Sequence, residues 1–401
     1  MHEKVMKAIE ERREELIKDV QEMVRVNSIN PGVFEKNVAD VFAAQLDKAG
    51  IPFTFVEPET DRVSVLAELK GPEEGGLLFN GHLDVVPLGD LSKWTVDPWE
   101  GVIKDNRLYG RGSTDMKGAV AAFAMAMKTI KDLGIKLKKS VYLHAVADEE
   151  CGGRKGSHYI VANGLMPKVD MAIVGESSTF KGELAIVRAC TGITQFKLKS
   201  FGKNSHASKP YEGNNAVLNM ARVLVALQDN FELDKKIIDE LLPLPTIAPG
   251  TTIKGGIKTN VIPDYCEAEV DIRVVPGMTK ESVKAQLDKI IADVKSAHPE
   301  VEVAYEWYEW DDATLVGPND EIIKQAEEAV MKAVGYTPKH MKRSGTTDAR
   351  FIFAAGVPVP VAFGPGDVLI GNMHGADESV GVDDLVNWSK VYANFILQVC
   401  C

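Results

Sequence analysis

The stretch Gly110-Arg-Gly-Ser-Thr-Asp115-Met-Lys-Gly118 places one carboxylate between flexible glycines and the start of an apolar segment. The glycines at 110 and 112 allow a tight turn and a close approach to other groups. The run from Ala119 to Met127 is rich in strong helix formers, and its wide apolar face predicts a buried helix. Asp115 is therefore expected at a loop-to-helix junction. There it either caps the helix or, with partners from elsewhere in the chain, binds a metal ion.

The composition of the 401-residue chain is typical of a globular protein with enough material for two or three domains. A net charge of -12 argues against nucleic acid or an anionic membrane as the main partner. The N-terminus is highly charged, and no apolar run reaches the length of a membrane span. We therefore expect a cytoplasmic protein without a signal peptide.

Short apolar runs alternate with helical patterns in the first part of the chain. The runs cover residues 64–69, 77–79, 141–146 and 171–174. Strands that alternate with helices predict an α/β domain with a mostly parallel sheet.

Three of these runs lead directly into acidic or imidazole side chains. The second run is followed by His82-Leu-Asp84, the third by Asp148-Glu149-Glu150 and the fourth by Glu176. Because the carboxyl ends of parallel strands meet at one edge of a sheet, these side chains are expected to converge there. Together with Asp115 they predict a shared site.

The pattern changes near residue 186. Strands are predicted at 252–262, 265–275 and 301–310, helices at 214–227 and 280–297, and a bridge rich in Pro and Gly at 242–252. This indicates a second, α+β domain at 186–310. A helix at 321–334 and an apolar strand at 357–363 return to the first domain, which is predicted to comprise residues 1–185 and 311–401.

The residue types at the predicted site suit a pair of metal ions. His82 and Asp84 have the i, i+2 spacing that puts two side chains on one face of an extended backbone. An imidazole ligand commonly donates its second ring N–H to a supporting group such as a carboxylate. Two imidazoles, His82 and His374, with Glu150, Glu176 and other acids and without thiolates are typical of a two-zinc hydrolase, or one using cobalt or manganese.

Several segments carry a further resemblance, and they occur in this order in the chain: Gly81-His82-Leu-Asp84-Val-Val-Pro87, Gly110 to Gly118, Ala147-Asp-Glu149-Glu150, Val174-Gly-Glu176, Asn204-Ser-His206-Ala and His374-Gly-Ala. Together they resemble the acetylornithine deacetylase, succinyl-diaminopimelate desuccinylase and carboxypeptidase G family of di-zinc metallopeptidases. The resemblance spans nearly the whole chain. It implies a three-layer, zinc-peptidase-like catalytic domain with an inserted ferredoxin-like domain that serves as lid and dimerisation domain.

The resemblance also implies roles for individual residues at two divalent metal ions per subunit, with zinc expected first and cobalt or manganese as alternatives. Asp115 bridges both ions, His82 and Glu176 bind one, and Glu150 and His374 bind the other. The peptide bond between Asp115 and Met116 is expected to be cis.

The resemblance gives the remaining residues catalytic and substrate-binding roles. Glu149 is expected to act as general base, with Asp84 in support. His206, which on sequence alone reads as an exposed loop residue, reaches into the partner's site of a homodimer. Asn260 and Arg273 match substrate-binding positions; Arg343 and Arg350 are further candidates, and a surface ion pair remains the alternative for each arginine.

The expected reaction is hydrolysis of the amide bond of an N-acyl amino acid, of the deacetylase or desuccinylase type. A dipeptidase or carboxypeptidase would use the same residues and is the first alternative. A catalytically inactive metal-binding scaffold is the second, although the presence of Glu149 and all five expected ligands argues against it. The expected partners are a small N-acyl amino acid or dipeptide and a second subunit, with no nucleic acid and no membrane.

Overall fold

The computed structural model describes residues 1–233 and 236–401 of the chain. Its helices are α1 (His2–Glu10), α2 (Arg13–Val24), α3 (Lys36–Ala49), α4 (Gly118–Asp132), α5 (Ser157–Ala162), α6 (Ala216–Asn230), α7 (Lys280–Ala297), α8 (Glu321–Val334), α9 (Ala349–Ala354) and α10 (Val382–Val399). Its strands are β1 (Phe53–Val56), β2 (Ser64–Leu69), β3 (Glu73–His82), β4 (Val102–Lys104), β5 (Arg107–Tyr109), β6 (Lys139–Val146), β7 (Met171–Val174), β8 (Ser177–Thr179), β9 (Ala185–Cys190), β10 (Gly192–Phe201), β11 (Ser205–His206), β12 (Thr246–Gly255), β13 (Val261–Ile262), β14 (Tyr265–Val274), β15 (Glu302–Asp311), β16 (Thr314–Leu315), β17 (Lys339–Arg343), β18 (Gly364–Asp367) and β19 (Ser379–Gly381). Within these two ranges of residues, no helix has the length and apolar character needed to cross a membrane.

The chain forms two compact units. Unit 1 comprises Met1–Arg188, Leu315–Lys342 and Thr347–Cys401, and unit 2 comprises Ala189–Thr314 and Arg343–Thr346. Unit 1 is thus discontinuous in sequence. The sequence prediction places the changes of domain after residues 185 and 310, whereas the compact units change after 188 and 314.

Unit 1 is built on a five-stranded sheet with the order β1-β2-β6-β3-β7. β3 is parallel to both of its neighbours, β6 and β7, while β2 is antiparallel to β1 and β6. Four of these five strands therefore run in one direction and β2 runs against them. The predicted α/β class is confirmed.

Helices cover both faces of this sheet. On one face, Phe79 of β3 packs against Phe123 of α4 and Tyr392 of α10, with ring centroids 4.6 and 5.4 Å apart. On the other face, Leu78 belongs to a separate buried cluster with α9. Because successive strand residues point to opposite faces, the continuous apolar run of β3 is buried on both sides. The result is a three-layer arrangement.

Unit 2 contains a four-stranded antiparallel sheet with the order β12-β14-β10-β15. Its elements follow one another as β10, α6, β12, β14, α7 and β15. This βαββαβ arrangement is ferredoxin-like, as the resemblance implies. The buried side chains of α6 and α7 form one core with Phe196, Ile272 and other residues of the sheet.

The prediction of a strand at residues 357–363 is wrong. The described structure has no strand there, because Pro358 and Pro360 lack the N–H groups that a sheet ladder requires. The segment still lies beside β7. The Pro358 carbonyl and the Phe363 N–H each form one backbone hydrogen bond of 2.9 Å with that strand.

The boundary between the bridge and the strand that follows it also differs from the sequence prediction. The bridge predicted at 242–252 is strand from Thr246 onward, since Pro249 lies at a bulge of an edge strand, where a missing N–H is tolerated. At the N-terminus, α1 and α2 are separate helices with a break at residues 11 and 12.

Candidate metal centre and active site

Three neighbouring parallel strands bring predicted site residues to one edge of the unit 1 sheet. β3 ends at His82, β6 at Val146 and β7 at Val174, and the register places His82 beside Val146. A short 3-10 turn, Glu149–Cys151, follows β6, and Glu176 follows β7. This is the carboxyl edge, at which open α/β sheets build their sites.

Asp115 reaches the same cluster from the glycine-rich turn before α4. Gly112 has a φ of +84°, and a Cβ atom there would lie 2.7 Å from Cγ1 of Val85, so glycine is required. The peptide bond between Asp115 and Met116 is cis, which confirms that prediction. α4 begins at Gly118 without a side-chain cap, so the alternative of a capping aspartate is excluded.

The two carboxylate oxygens of Asp115 face two different imidazoles. Oδ1 lies 3.0 Å from Nε2 of His82, and Oδ2 lies 3.2 Å from Nε2 of His374. A second acid accompanies each imidazole: Oε1 of Glu176 is 3.7 Å from Nε2 of His82, and Oε2 of Glu150 is 3.3 Å from Nε2 of His374. Asp115 thus stands between two sets of donor atoms, as a carboxylate that bridges two cations would.

Asp84 supports the cluster mainly through the backbone of the neighbouring turn. Nδ1 of His82 lies 2.9 Å from the backbone carbonyl oxygen of Asp84 but 3.6 Å from its carboxylate. With Nδ1–H donated to this carbonyl, Nε2 is the nitrogen left for a cation. The Asp84 carboxylate instead accepts the backbone N–H groups of Glu149 and Glu150, both at 3.1 Å. It therefore fixes the turn that carries these two acids.

Behind Asp84 lies a buried network that the sequence motifs do not reveal. Asn30 donates from Nδ2 to Oδ2 of Asp84 at 2.8 Å, and Arg62 donates to Oδ1 of Asn30 at 2.9 Å. Arg62 also binds the carboxylate of Asp148, and its Nε lies 3.3 Å from Oε2 of Glu35. All five side chains are buried. No spacing in the sequence relates them, because they come from four segments of unit 1, with Asn30 and Glu35 in the same one.

Further polar residues surround the turn at 149–151. Asp348, which the sequence analysis does not single out, is buried and accepts the Ser157 hydroxyl at Oδ2, 2.8 Å away. Arg350, a predicted substrate ligand, donates from Nη2 to the backbone carbonyl of Gly152 at 2.9 Å. Arg350 therefore supports the turn after Glu150, and its predicted contact with substrate stays a prediction.

The converging acids and imidazoles change one another's pKa. Burial, followed by the charge of Glu176, raises the pKa of Glu149 well above its usual range. Burial and the neighbouring Asp115 raise the pKa of Glu150 to about 7. Burial also acts to raise the pKa of Asp115, but hydrogen bonds from the two imidazoles outweigh it and lower this pKa. Asp115 is therefore ionised at neutral pH, and Glu149 can hold a proton.

The donor atoms fit divalent cations. Two groups have ligand atoms within 4.8 Å of one another, His82 with Glu149 and Glu176, and His82 with Asp115 and Glu150. Oε1 of Glu150 is buried and has no hydrogen-bond partner among the described residues, a cost that a bound cation would offset. Imidazole nitrogens with carboxylate oxygens suit zinc, cobalt or manganese.

Four residues with predicted catalytic or substrate-binding roles lie in or beside elements of unit 2, and not on the strands of unit 1 that carry the cluster. His206 in β11 is exposed, and its Nδ1 is 2.7 Å from a serine hydroxyl. Asn260, just before β13, is exposed. Arg273 in β14 makes two hydrogen bonds, of 2.9 and 3.3 Å, to the carboxylate of Asp271. Arg343 is half-buried at the end of β17. The roles of these residues stay predictions.

Known proteins resemble the chain over most of its length. Residues 78–398 match the family described as "Peptidase family M20/M25/M40". A succinyl-diaminopimelate desuccinylase of Rhodospirillum centenum is 32% identical over 389 residues, which cover 93% of this chain and 94% of that protein.

Solved structures share the fold at lower identity. An M20 family metallo-carboxypeptidase from Sulfolobus solfataricus has a TM-score of 0.76 at 22% identity, covering 95% of this chain and 98% of its own. A Bacillus subtilis protein described as a dinuclear metal binding peptidase has a TM-score of 0.69 at 15% identity, covering 97% and 98%. The chain therefore belongs to the peptidase family M20/M25/M40 and is a metal-dependent hydrolase of amide or peptide bonds.

Proposed function

We propose that this hydrolase cleaves the amide bond of an N-acyl amino acid, as a deacetylase or desuccinylase, with two divalent cations in the unit 1 cluster. The position of Asp115 carries the proposal, because its two oxygens lie 3.0 and 3.2 Å from the imidazoles of His82 and His374. The name of the Bacillus subtilis protein, a dinuclear metal binding peptidase, supports a pair of ions. Zinc is proposed first, with cobalt and manganese as alternatives.

The same geometry suggests which residues hold each ion. Asp115 would bind both cations, His82 and Glu176 one of them, and Glu150 and His374 the other. When bound, the cations would polarise the scissile carbonyl and make a water molecule acidic near neutral pH.

Glu149 is the proposed proton carrier. The residue is half-buried, its carboxylate lies within 4.8 Å of ligand atoms of His82 and Glu176, and the Asp84 carboxylate accepts its backbone N–H. Burial and then Glu176 raise its pKa, which suits a group that alternately takes and releases a proton. In the proposed reaction Glu149 takes a proton from the attacking water and delivers it to the leaving amine.

The proposed substrate carries a free carboxylate. Arg273 offers the forked donors that bind carboxylates in bidentate fashion, and Asn260 offers an amide. The desuccinylase name of the relative at 32% identity supports an N-acyl amino acid. A dipeptidase or carboxypeptidase is the second candidate, favoured by the fold of the Sulfolobus solfataricus carboxypeptidase.

We further propose a homodimer formed through unit 2. β12 is a ten-residue edge strand of its sheet, and its Ile253 side chain is 51% exposed. Leu218 and Val225 of the adjoining α6 are 56% and 59% exposed. Natural proteins cover such edges and apolar side chains, and a second copy would do so here. His206 would then be available to the partner's site.

A substrate panel tests the proposed function. N-acetylornithine, N-succinyl-diaminopimelate, N-acetylmethionine and simple dipeptides are each assayed with chelator and with added zinc, cobalt or manganese. We expect hydrolysis of at least one N-acyl amino acid that chelator abolishes and metal restores. Preference for dipeptides would move the assignment to the second candidate. No turnover of any member would refute the proposed function and favour an inactive scaffold.

A further inference from the structure

Glu378 is a buried carboxylate that the proposed mechanism does not use. It lies four residues after His374 and directly precedes β19, with only 1% of its surface exposed. A buried carboxylate is costly unless hydrogen bonds and an opposite charge compensate it. Its partners therefore indicate its role.

Both oxygens of Glu378 bind the segment that carries Asp115. Oε1 accepts the backbone N–H groups of Thr114 and Asp115, each at 3.0 Å. Oε2 accepts Nη1 of Arg111 at 2.6 Å, and both of these side chains are 1% exposed. The backbone adds a further link, because the N–H of Gly110 donates to the Glu378 carbonyl at 2.8 Å. One residue thus holds the turn at several points.

These contacts join two segments that are distant in sequence but meet at the site. Nε2 of His374 lies 3.2 Å from Oδ2 of Asp115, and both residues lie outside the sheet strands. We infer that Glu378 is a positioning residue. It fixes the turn of Asp115 relative to His374 and so presets one of the two cation positions, while Arg111 compensates its charge. This inference rests on the proposed two-cation function.

The hydrogen bonds from Glu378 to the backbone suit this role because Asp115 lies at a break in helical geometry. Its φ of -124° and ψ of 91° interrupt the helical geometry between Gly112 and α4, so regular helix hydrogen bonds do not hold it. Buried N–H groups require partners, and Glu378 supplies them at both Thr114 and Asp115. A metal-binding side chain must be held to within roughly 0.5 Å of its binding position, and hydrogen bonds to its backbone provide this support.

An ordinary buried ion pair is the competing explanation. β19 pairs with β5, and in this explanation the ion pair between Glu378 and Arg111 only stabilises the pairing of these two strands. That role predicts a loss of stability with unchanged cation binding. The positioning role predicts weakened binding of one cation beyond what destabilisation alone produces.

Zinc binding to the full-length apoprotein separates the two explanations. The metal is removed with chelator, and zinc affinity is measured by competition with a chromophoric chelator for the wild type, Glu378→Ala and Val330→Ala. Val330 is a fully buried core residue of α8 and serves as the matched destabilising control. We expect Glu378→Ala to weaken the second equivalent of zinc about 10- to 100-fold, the usual cost of losing such support. Val330→Ala should keep both affinities while lowering the urea midpoint.

A conservative pair of variants keeps the test valid if Glu378→Ala does not fold. In Glu378→Gln the amide oxygen still accepts the two N–H groups, but its NH2 group faces Arg111, which cannot accept a hydrogen bond. Adding Arg111→Met removes this conflict, so the double variant should bind the second zinc more tightly than Glu378→Gln alone. The absorption spectrum of the cobalt-loaded proteins reports the ligand geometry in the same series.

The inference is overturned if Glu378→Ala and Glu378→Gln bind both equivalents like the wild type, or if Val330→Ala loses as much affinity. A wild type that binds two zinc ions but hydrolyses no member of the panel refutes the proposed substrate and leaves the inference standing. A wild type that binds fewer than two equivalents overturns the inference together with the two-cation proposal.

Discussion

The predicted functional residues of unit 1 and unit 2 differ in how their charges are satisfied. In unit 1, Asp115, Glu150 and other acids crowd two imidazoles, and the pKa of Glu150 is raised to about 7 by burial and by Asp115. In unit 2, Arg273 already binds Asp271 through two hydrogen bonds, and His206 is exposed beside a serine. A bound cation would compensate the crowded acids of the first arrangement, whereas Asp271 already compensates the charge of Arg273 in the second. Stability and metal binding therefore test unit 1, and only kinetics can test unit 2.

Within unit 1, two carboxylates hold the cluster in the same way. Asp84 accepts the consecutive N–H groups of Glu149 and Glu150, and Glu378 accepts those of Thr114 and Asp115. Each carboxylate is bound from behind by a buried amide or guanidinium. Two of the proposed ligands, Asp115 and Glu150, thus stand on short backbone turns that a buried carboxylate holds.

The largest expected effect is on turnover. Glu149→Gln removes the proposed proton carrier while keeping the size of the side chain, so kcat should fall about 10²- to 10⁴-fold. The metal content, measured by atomic emission after dialysis, should stay at the wild-type value. Asp90, an exposed acid of unit 1, provides the control, and Asp90→Asn should change neither quantity. Unchanged turnover in Glu149→Gln would remove Glu149 from the mechanism.

The second prediction concerns the buried network behind Asp84. Arg62→Met leaves the buried carboxylate of Asp148 without its counter-ion, which should cost about 3–5 kcal/mol in the free energy of unfolding. Urea denaturation of the metal-free protein measures this loss. Arg222→Met breaks an exposed pair with Glu300 and should cost at most about 1 kcal/mol. Equal losses in the two variants would contradict the role assigned to Arg62.

The sequence predicted the convergence of side chains correctly where acidic and imidazole residues come at or directly after the end of a strand. The strands built on three apolar runs end at His82, Val146 and Val174, and the acids that follow them converge because the carboxyl ends of parallel strands share an edge. The same hydrophobic pattern misled at residues 357–363, where Pro358 removes a ladder hydrogen bond.

The supporting residues could not be found in this way. Asn30, Arg62 and Glu35 make contacts to segments that are distant in sequence, and such contacts leave no period or spacing in the sequence. Glu378 lies near His374, but its grip on Asp115 depends on the path of a turn. Residues that bind a metal ion or transfer a proton can be recognised in a sequence by their residue type. Residues that hold them in position can be recognised only from the contacts that they make in the structure.

The third prediction is a pH dependence that the cations should reverse. The folded metal-free protein binds protons more tightly than the unfolded chain at Glu150, whose pKa is raised to about 7 by burial and by Asp115. Its stability should therefore fall as pH rises from 4.5 to 7, by about 3 kcal/mol from this group. The pKa of His374, raised to about 10 chiefly by Asp115, continues the fall above pH 6.5.

Urea midpoints measured in chelator at pH 5, 7 and 9 check this slope. Saturating zinc should reverse it up to pH 7, because the cations compete with protons for the same atoms. Glu150→Gln should flatten the metal-free curve between pH 5 and 7. A wild-type curve that is flat in chelator would show that Glu150 and His374 do not bind protons more tightly in the folded protein than in the unfolded chain.

The smallest effect is expected in unit 2. Arg273→Ala breaks a partly exposed pair with Asp271 and should change the free energy of unfolding by under about 1 kcal/mol. If the arginine binds the substrate carboxylate, KM should rise about 10-fold while kcat stays near the wild-type value. An N-acyl amino acid amide, which lacks the charge, sharpens the measurement, since the wild type should discriminate against it and Arg273→Ala should not. Arg222→Ala serves as the surface control. Unaltered discrimination in Arg273→Ala would contradict substrate binding by this arginine and would leave it the role that its ion pair with Asp271 gives it, which is to stabilise unit 2.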